Sequence, residues 1–227
     1  MCGRFTVAIS RQEMETYLKD TFGIDSLGET IELPRYNVAP GQDILSVISD
    51  GRNYRAGLLK WGFVPSFSTP GDTGYKMINA KAETLRERPA YINSFKHRRC
   101  VILADGFYEW HREGKRKTPF RIVPKQGAIF PMAGLWNVST NADGSKLYTC
   151  TIITTEANKT VSDIHDRMPV ILTDEAKRIW LDPANTDPVK LSRLLVPAAD
   201  DYLNAYRVSV NVNSSTNEGP GLIEPLE

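Results

Sequence analysis

Four residues in this chain pair a reactive side chain with a setting that sharpens it: Cys2, Asn79, Glu109 and His165. Removal of Met1, which the small side chain at position 2 permits, leaves a thiol and an α-amine on adjacent carbons. An unperturbed α-amine titrates at about 7.7–8.0 and a thiol at about 8.5, so both are partly nucleophilic near neutrality. The amine condenses with an aldehyde to a Schiff base, and the thiol then closes on the same carbon as a thiazolidine ring. Against an acyl carbon the thiolate alone attacks. Glu109 lies among Phe107, Tyr108 and Trp110, and desolvation raises a carboxyl pKa because it disfavours the charged form. Such a group shuttles protons near pH 7. His165 sits in Asp163-Ile164-His165-Asp166-Arg167-Met168-Pro169, and Asn79 follows the apolar pair Met77-Ile78. Without chemistry, the same four read as a frayed terminus, a solvent-facing strand carboxylate, a surface or capping histidine and a turn asparagine. The residues alone leave both readings open.

The elements that must position these groups are legible in part. Ser10-Arg11-Gln12-Glu13 is a capping box, and Met14, Tyr17, Leu18 and Phe22 follow at helical spacing until Gly23, which predicts a helix over 11–21. Residues 24–43, with Gly28, Pro34, Pro40 and Gly41, read mostly as loop. Strands are expected over 44–48 and 54–61 around Asp50-Gly51, then a polar stretch over 66–74 and a short helix opened by Pro89 over 89–95. Four β-rich runs, 101–112, 120–123, 129–138 and 147–154, are separated by turn signals and predict an antiparallel meander. Thr173 caps a helix running to about Leu181, a further helix over 188–195 and a last strand over 206–212 follow, and 213–227 reads as a loop or frayed tail. The fold class is α+β: a single domain, 1–227, built on a curled, barrel-like antiparallel sheet with peripheral helices.

Composition excludes several classes of function. Hydrophobic residues at 41% and charged residues at 24% place the chain outside the disordered class. No apolar run reaches the roughly 20 residues of a membrane span, and the start lacks a signal-peptide pattern, so a cytoplasmic protein is expected. Three widely spaced cysteines make no disulfide framework, and Cys100 and Cys150 read as core thiols. His97 and Cys100 form one pair at metal-ligand spacing without a second, so neither a metal nor any other cofactor is expected. Net charge is +1, but residues 1–121 hold 19 Lys+Arg against 14 Asp+Glu, and 122–227 hold 9 against 13. A basic face built from the first half follows, although a scattered solvated surface has the same composition.

Six blocks in order resemble the successive signatures of the SOS response-associated peptidase family. They are Met1-Cys2-Gly3-Arg4-Phe5, Arg35-Tyr36-Asn37-Val38-Ala39-Pro40, Lys60-Trp61-Gly62-Phe63-Val64-Pro65, Ile78-Asn79-Ala80-Lys81-Ala82-Glu83-Thr84, Ala104-Asp105-Gly106-Phe107-Tyr108-Glu109-Trp110 and Ile164-His165-Asp166-Arg167-Met168-Pro169. The resemblance implies that Met1 is removed autocatalytically or by an aminopeptidase. Cys2 then forms a thiazolidine crosslink with the ring-opened aldehyde of an abasic site in single-stranded DNA, with single-strand/duplex junctions a further context, as part of the DNA damage response. It implies that Asn79 holds the sugar-derived group, that Glu109 is the acid/base, and that His165 helps open the sugar ring and reverse the crosslink. By the same resemblance Arg4, Lys81 and Arg167 contact phosphates, and Trp61, with Pro40 or Phe63, stacks on or wedges between bases. Lys81 departs from the arginine of many relatives, keeping the charge without the bidentate fork. The implied protein is cytoplasmic, and nucleoid-associated when bound to DNA.

Aromatics interleaved with basic residues suit a single-strand groove, since stacking accepts any base while cations follow the backbone. Two other functions start from the same Cys2: a thiol peptidase or class II glutamine amidotransferase acting on an acyl carbon, and a non-covalent single-stranded DNA-binding module in which Cys2 is incidental.

Overall fold

A capping box starts the first helix as the sequence requires. In the computed structural model, which describes residues 2–69, 71–72 and 77–226, the Ser10 hydroxyl accepts the Glu13 N–H and the Glu13 carboxylate accepts the Ser10 N–H at 2.8 Å. Helix α1 (Arg11–Phe22) buries Met14, Leu18 and Phe22 and ends at Gly23, whose φ of 68° is left-handed. The expected loss of Met1 and parts of the polar stretch 66–74 lie outside the described residues.

The remaining elements follow in order. Strands β1 (Arg4–Val7), β2 (Arg35–Val38), β3 (Asp43–Ser49), β4 (Tyr54–Trp61) and β5 (Asn79–Lys81) precede helix α2 (Pro89–His97). Next come β6 (Arg99–Ala104), β7 (Gly106–Glu113), β8 (Arg116–Pro124), β9 (Phe130–Thr140) and β10 (Lys146–Glu156). Helix α3 (Lys159–Ser162), β11 (Arg167–Pro169), α4 (Asp174–Leu181), α5 (Pro188–Ser192) and β12 (Leu203–Arg207) complete the chain. Strands β10, β4, β3, β6 and β9 hydrogen-bond in that order, and β9 pairs back onto β10, which closes a five-stranded barrel. A second sheet runs β12-β8-β7-β1-β2.

The α+β class and the curled sheet agree with the sequence reading, with two differences. The barrel is mixed, because β10 runs parallel to β4 and to β5. The run 101–112 is two strands, since the chain leaves the barrel at Asp105 and enters the second sheet. Gly106 makes that passage possible: a Cβ there would stand 2.8 Å from Arg121 Nε. Beneath it lies a buried polar knot. Thr6 Oγ1 donates to Asp105 Oδ1 at 2.6 Å, and Arg121 pairs with Asp105 at 2.9 Å. Removing one partner of such a buried pair costs about 3–5 kcal/mol. Among the described residues the larger of two apolar clusters joins barrel and sheet, with Phe5 and Trp61 rings 5.3 Å apart across the boundary.

Two local expectations are corrected, and the choice left open for the tail is decided. The presumed loop 24–43 contains β2, which exists because β1 pairs with it antiparallel. The strand expected over 206–212 stops at Arg207, and a 3-10 turn occupies Val210–Asn213. The tail is held rather than frayed: Asn37 donates to the Ser214 and Asn217 carbonyls at 2.8 and 2.9 Å, and the Tyr36 N–H donates to the Glu218 carboxylate at 2.9 Å. Val212 and Leu222 are buried against Tyr108.

Candidate active site

Four separate elements deliver the reactive groups to one end of the molecule. Strand β1 pairs with β7 so that Arg4 faces Tyr108 and Phe5 faces Phe107, and continuing that register brings the start of the chain beside Glu109. Strand β5 presents Asn79, whose Nδ2 donates to the Cys2 carbonyl at 2.9 Å. Asn79 Oδ1 is buried with no hydrogen-bond partner among the described residues, which leaves an acceptor for an incoming hydroxyl. His165 follows α3, where Asn158 accepts the Val161 N–H as N-cap and the His165 N–H donates to the Val161 carbonyl.

Burial sets the protonation of these groups. Glu109 is 2% exposed, and desolvation pushes its pKa up from 4.5 to about 7, helped by the negative charge of Asp166. The carboxyl therefore divides between acid and base forms at neutrality. The Cys2 thiol is wholly buried, and desolvation, with the nearby charge of Glu109, raises its pKa far above the ordinary value. The thiol is thus held protonated. Burial lowers the pKa of His165, so its imidazole is neutral near pH 7. Its Nδ1 lies 3.0 Å from the Arg167 N–H and 2.8 Å from Asp166 Oδ1, and one nitrogen serves only one of them at a time. In the neutral ring Nδ1 accepts from Arg167, which places the proton on Nε2, 4.0 Å from Glu109 Oε2. Protonation turns Nδ1 into a donor to Asp166.

A cleft of about 820 Å³ opens beside these residues, walled by Lys81, Glu109, Trp110, Arg112, Lys117, His165, Asp166, Arg167 and Asn213. Its four cations outnumber its two carboxyl groups, one of which is half neutral at pH 7. The cleft therefore attracts anions. Among the described residues no cluster of three or more His, Cys, Asp or Glu could hold a metal ion, and no helix is long and apolar enough to cross a membrane.

The structure distributes the remaining expected contacts unevenly. Lys81 is exposed on the cleft wall. Arg167 also lines it, but its guanidinium is engaged in a bidentate pair with Glu83, both contacts at 2.9 Å. Arg4 is half-buried and donates to Asn37 Oδ1 at 2.7 Å, the Val212 carbonyl at 2.8 Å and the Asn213 carbonyl at 3.2 Å, a tie between β1 and the tail. Trp61 and Phe63 are both 0% exposed. The Trp61 indole donates to the Ile78 carbonyl at 2.9 Å, and Phe63 packs on Tyr91. The base stacking expected of them finds no exposed ring face here. Pro40 is half-buried in the turn after β2 and is not part of the cleft wall.

Sequence reasoning passed over Arg112, Lys117 and Asn213, and named Trp110 only as a neighbour of Glu109. The half-buried Trp110 indole donates to Asn213 Oδ1 at 2.7 Å. The available signal was the density of cations on both sides of Glu113-Gly114.

The chain is similar to known proteins over nearly its whole length. The family model described as SOS response associated peptidase (SRAP) matches residues 1–215. The chain is 50% identical over 226 residues to the abasic site processing protein YoqW of Bacillus subtilis (strain 168), covering 99% of each. It is 29% identical over 229 residues to the abasic site processing protein YedK of Escherichia coli (strain K12), covering 100% of each. A crystal structure of a Bacteroides thetaiotaomicron protein superimposes with a TM-score of 0.82 at 24% identity, covering 98% of this chain and 100% of that one, and so shares the fold.

Proposed function

Since this chain belongs to the SOS response associated peptidase (SRAP) family, we propose that its cleft traps abasic sites in single-stranded DNA as a covalent adduct of Cys2. The relatives' names, abasic site processing proteins, support the substrate class. The observation that carries the reading is Glu109, a buried carboxyl with a pKa of about 7 that acts electrostatically on Cys2 and stands 4.0 Å from His165.

The steps follow from these protonation states. Loss of Met1 frees the Cys2 amine, which attacks the aldehyde carbon of the ring-opened abasic sugar. Protonated Glu109 gives its proton to the carbinolamine hydroxyl, water leaves, and a Schiff base remains. The thiol adds to the carbon of this Schiff base, which still carries the N–H proton, while the thiol proton passes to the Glu109 carboxylate; the nitrogen becomes a neutral ring amine, the thiazolidine closes and the carboxyl returns to its acid form. Asn79 fixes the Cys2 backbone through its carbonyl and offers Oδ1 to the sugar. His165, with Nε2–H toward the cleft, assists opening of the sugar ring and the reverse reaction. Removal of Met1 uses the same carboxyl. A buried thiol with a raised pKa is a poor start for attack on an acyl carbon, which favours this order over the amidotransferase reading.

The test is denaturing electrophoresis of the protein after mixing with a single-stranded oligonucleotide bearing one abasic site, with intact-mass measurement of the N-terminus. A stable adduct that depends on Cys2, on a chain lacking Met1, is expected. An equal yield from Cys2→Ala refutes the assignment, and glutamine hydrolysis without adduct would establish the amidotransferase alternative.

A further inference from the structure

Cations crowd the hairpin between β7 and β8. Residues 111–117 hold four Lys or Arg against one Glu, and the strand register places Arg112 directly opposite Lys117 and Glu113 opposite Arg116. Glu113 thus has a cation across the ladder, whereas Arg112 and Lys117 face each other as like charges. That juxtaposition is destabilising in a sheet. Both side chains are exposed, and neither forms an ion pair among the described residues. Both also wall the cleft next to Trp110, which lies two residues before Arg112 and opposite Pro119. Arg112 is close enough for its charge to depress the pKa of His165. Two like charges held together beside an aromatic ring, pointing into a shared groove, are what the backbone of a single strand requires.

We infer that the β7–β8 hairpin is a phosphate-binding arm, in which Arg112 and Lys117 grip the phosphodiester backbone flanking the nucleotide that enters the cleft. The inference rests on the nucleic-acid reading of the site and adds to it a second set of contacts, on elements other than those that carry Lys81 and Arg167. An anionic strand relieves the repulsion between the two side chains, so the cost of their pairing in the free protein is offset on binding.

The experiment is equilibrium binding of an undamaged single-stranded oligonucleotide across a salt series. Arg112→Gln/Lys117→Gln is compared with wild type and with Lys19→Gln/Lys190→Gln, which removes two exposed charges from α1 and α5. Each phosphate contact on a single strand contributes a slope of about −0.7 in log affinity against log salt, so the hairpin variant is expected to flatten the slope by about 1.4. The control is expected to match wild type. A hairpin variant with the wild-type slope, or a control that flattens equally, overturns the arm, as does a wild-type protein that binds no undamaged strand. Because undamaged DNA is used, the outcome is independent of adduct formation. A protein that shows the hairpin effect yet never crosslinks abasic DNA would overturn the covalent reading and leave the arm intact.

Discussion

Glu109 should make this protein lose stability as pH rises through mild acidity, opposite to the behaviour of a salt-bridged carboxylate. Burial lifts its pKa from 4.5 to about 7, so between those values the folded state binds a proton that the unfolded chain has released. Stability then falls with rising pH. Below the unfolded value both states are protonated and the full stability is present; above about 7 both are ionised and the loss is complete. A shift of this size corresponds to about 3 kcal/mol. Glu109→Gln keeps the shape and removes the titration. The assay is urea unfolding of both forms from about pH 4 to about pH 8, in a His165→Gln background so that the imidazole 4.0 Å away does not titrate in the same window. The stability of the Glu form minus that of the Gln form is expected to be flat below pH 4.5, to drop by about 3 kcal/mol by about pH 7, and then to level off. A difference that stays constant across the range would show Glu109 to be an ordinary solvated carboxylate, and one that rises with pH would show an ion-paired one; either result removes the basis for its acid/base role.

Trp61→Ala should act on the fold, because the ring is wholly enclosed: a loss of about 3–5 kcal/mol in urea unfolding is expected, and a loss within about 0.5 kcal/mol, the range of surface substitutions, would contradict the burial. Glu83→Gln should release the Arg167 fork for phosphate, so single-stranded DNA should bind more tightly with a salt slope steeper by about 0.7. Weaker binding would instead show that Glu83 holds Arg167 in its working position.

What the sequence conveyed depended on how local the cause was. The capping box of α1 and the Thr173 cap of α4 lie within a few residues of what they control, and both form as expected. The raised pKa of Glu109 was legible for a related reason, since its aromatic flanks are its neighbours in the chain. Strand β2 was hidden because its partner, β1, lies about thirty residues away and Pro34 and Pro40 border it. The same limit applied to Trp61 and Phe63. Nothing local in Lys60-Trp61-Gly62-Phe63 shows that both rings are enclosed, and only the packing of Trp61 on Phe5 and of Phe63 on Tyr91 puts them in the core. Arg4 meets the same limit, because the Val212 and Asn213 carbonyls that accept from its guanidinium lie 208 and 209 residues further along the chain.

The tie between Arg4 and residues 212–213 imposes an order on synthesis. Cys2 leaves the ribosome long before residues 212–213, so the Arg4 guanidinium gains two of its three acceptors only after they emerge, and Trp110 waits for Asn213 in the same way. Until then β1 is held by its pairing with β2 and β7, while Arg4 lacks two acceptors and the cleft lacks Asn213. The Arg4 tie and the Asn213 part of the cleft wall are therefore completed only once residues 212–213 have been made.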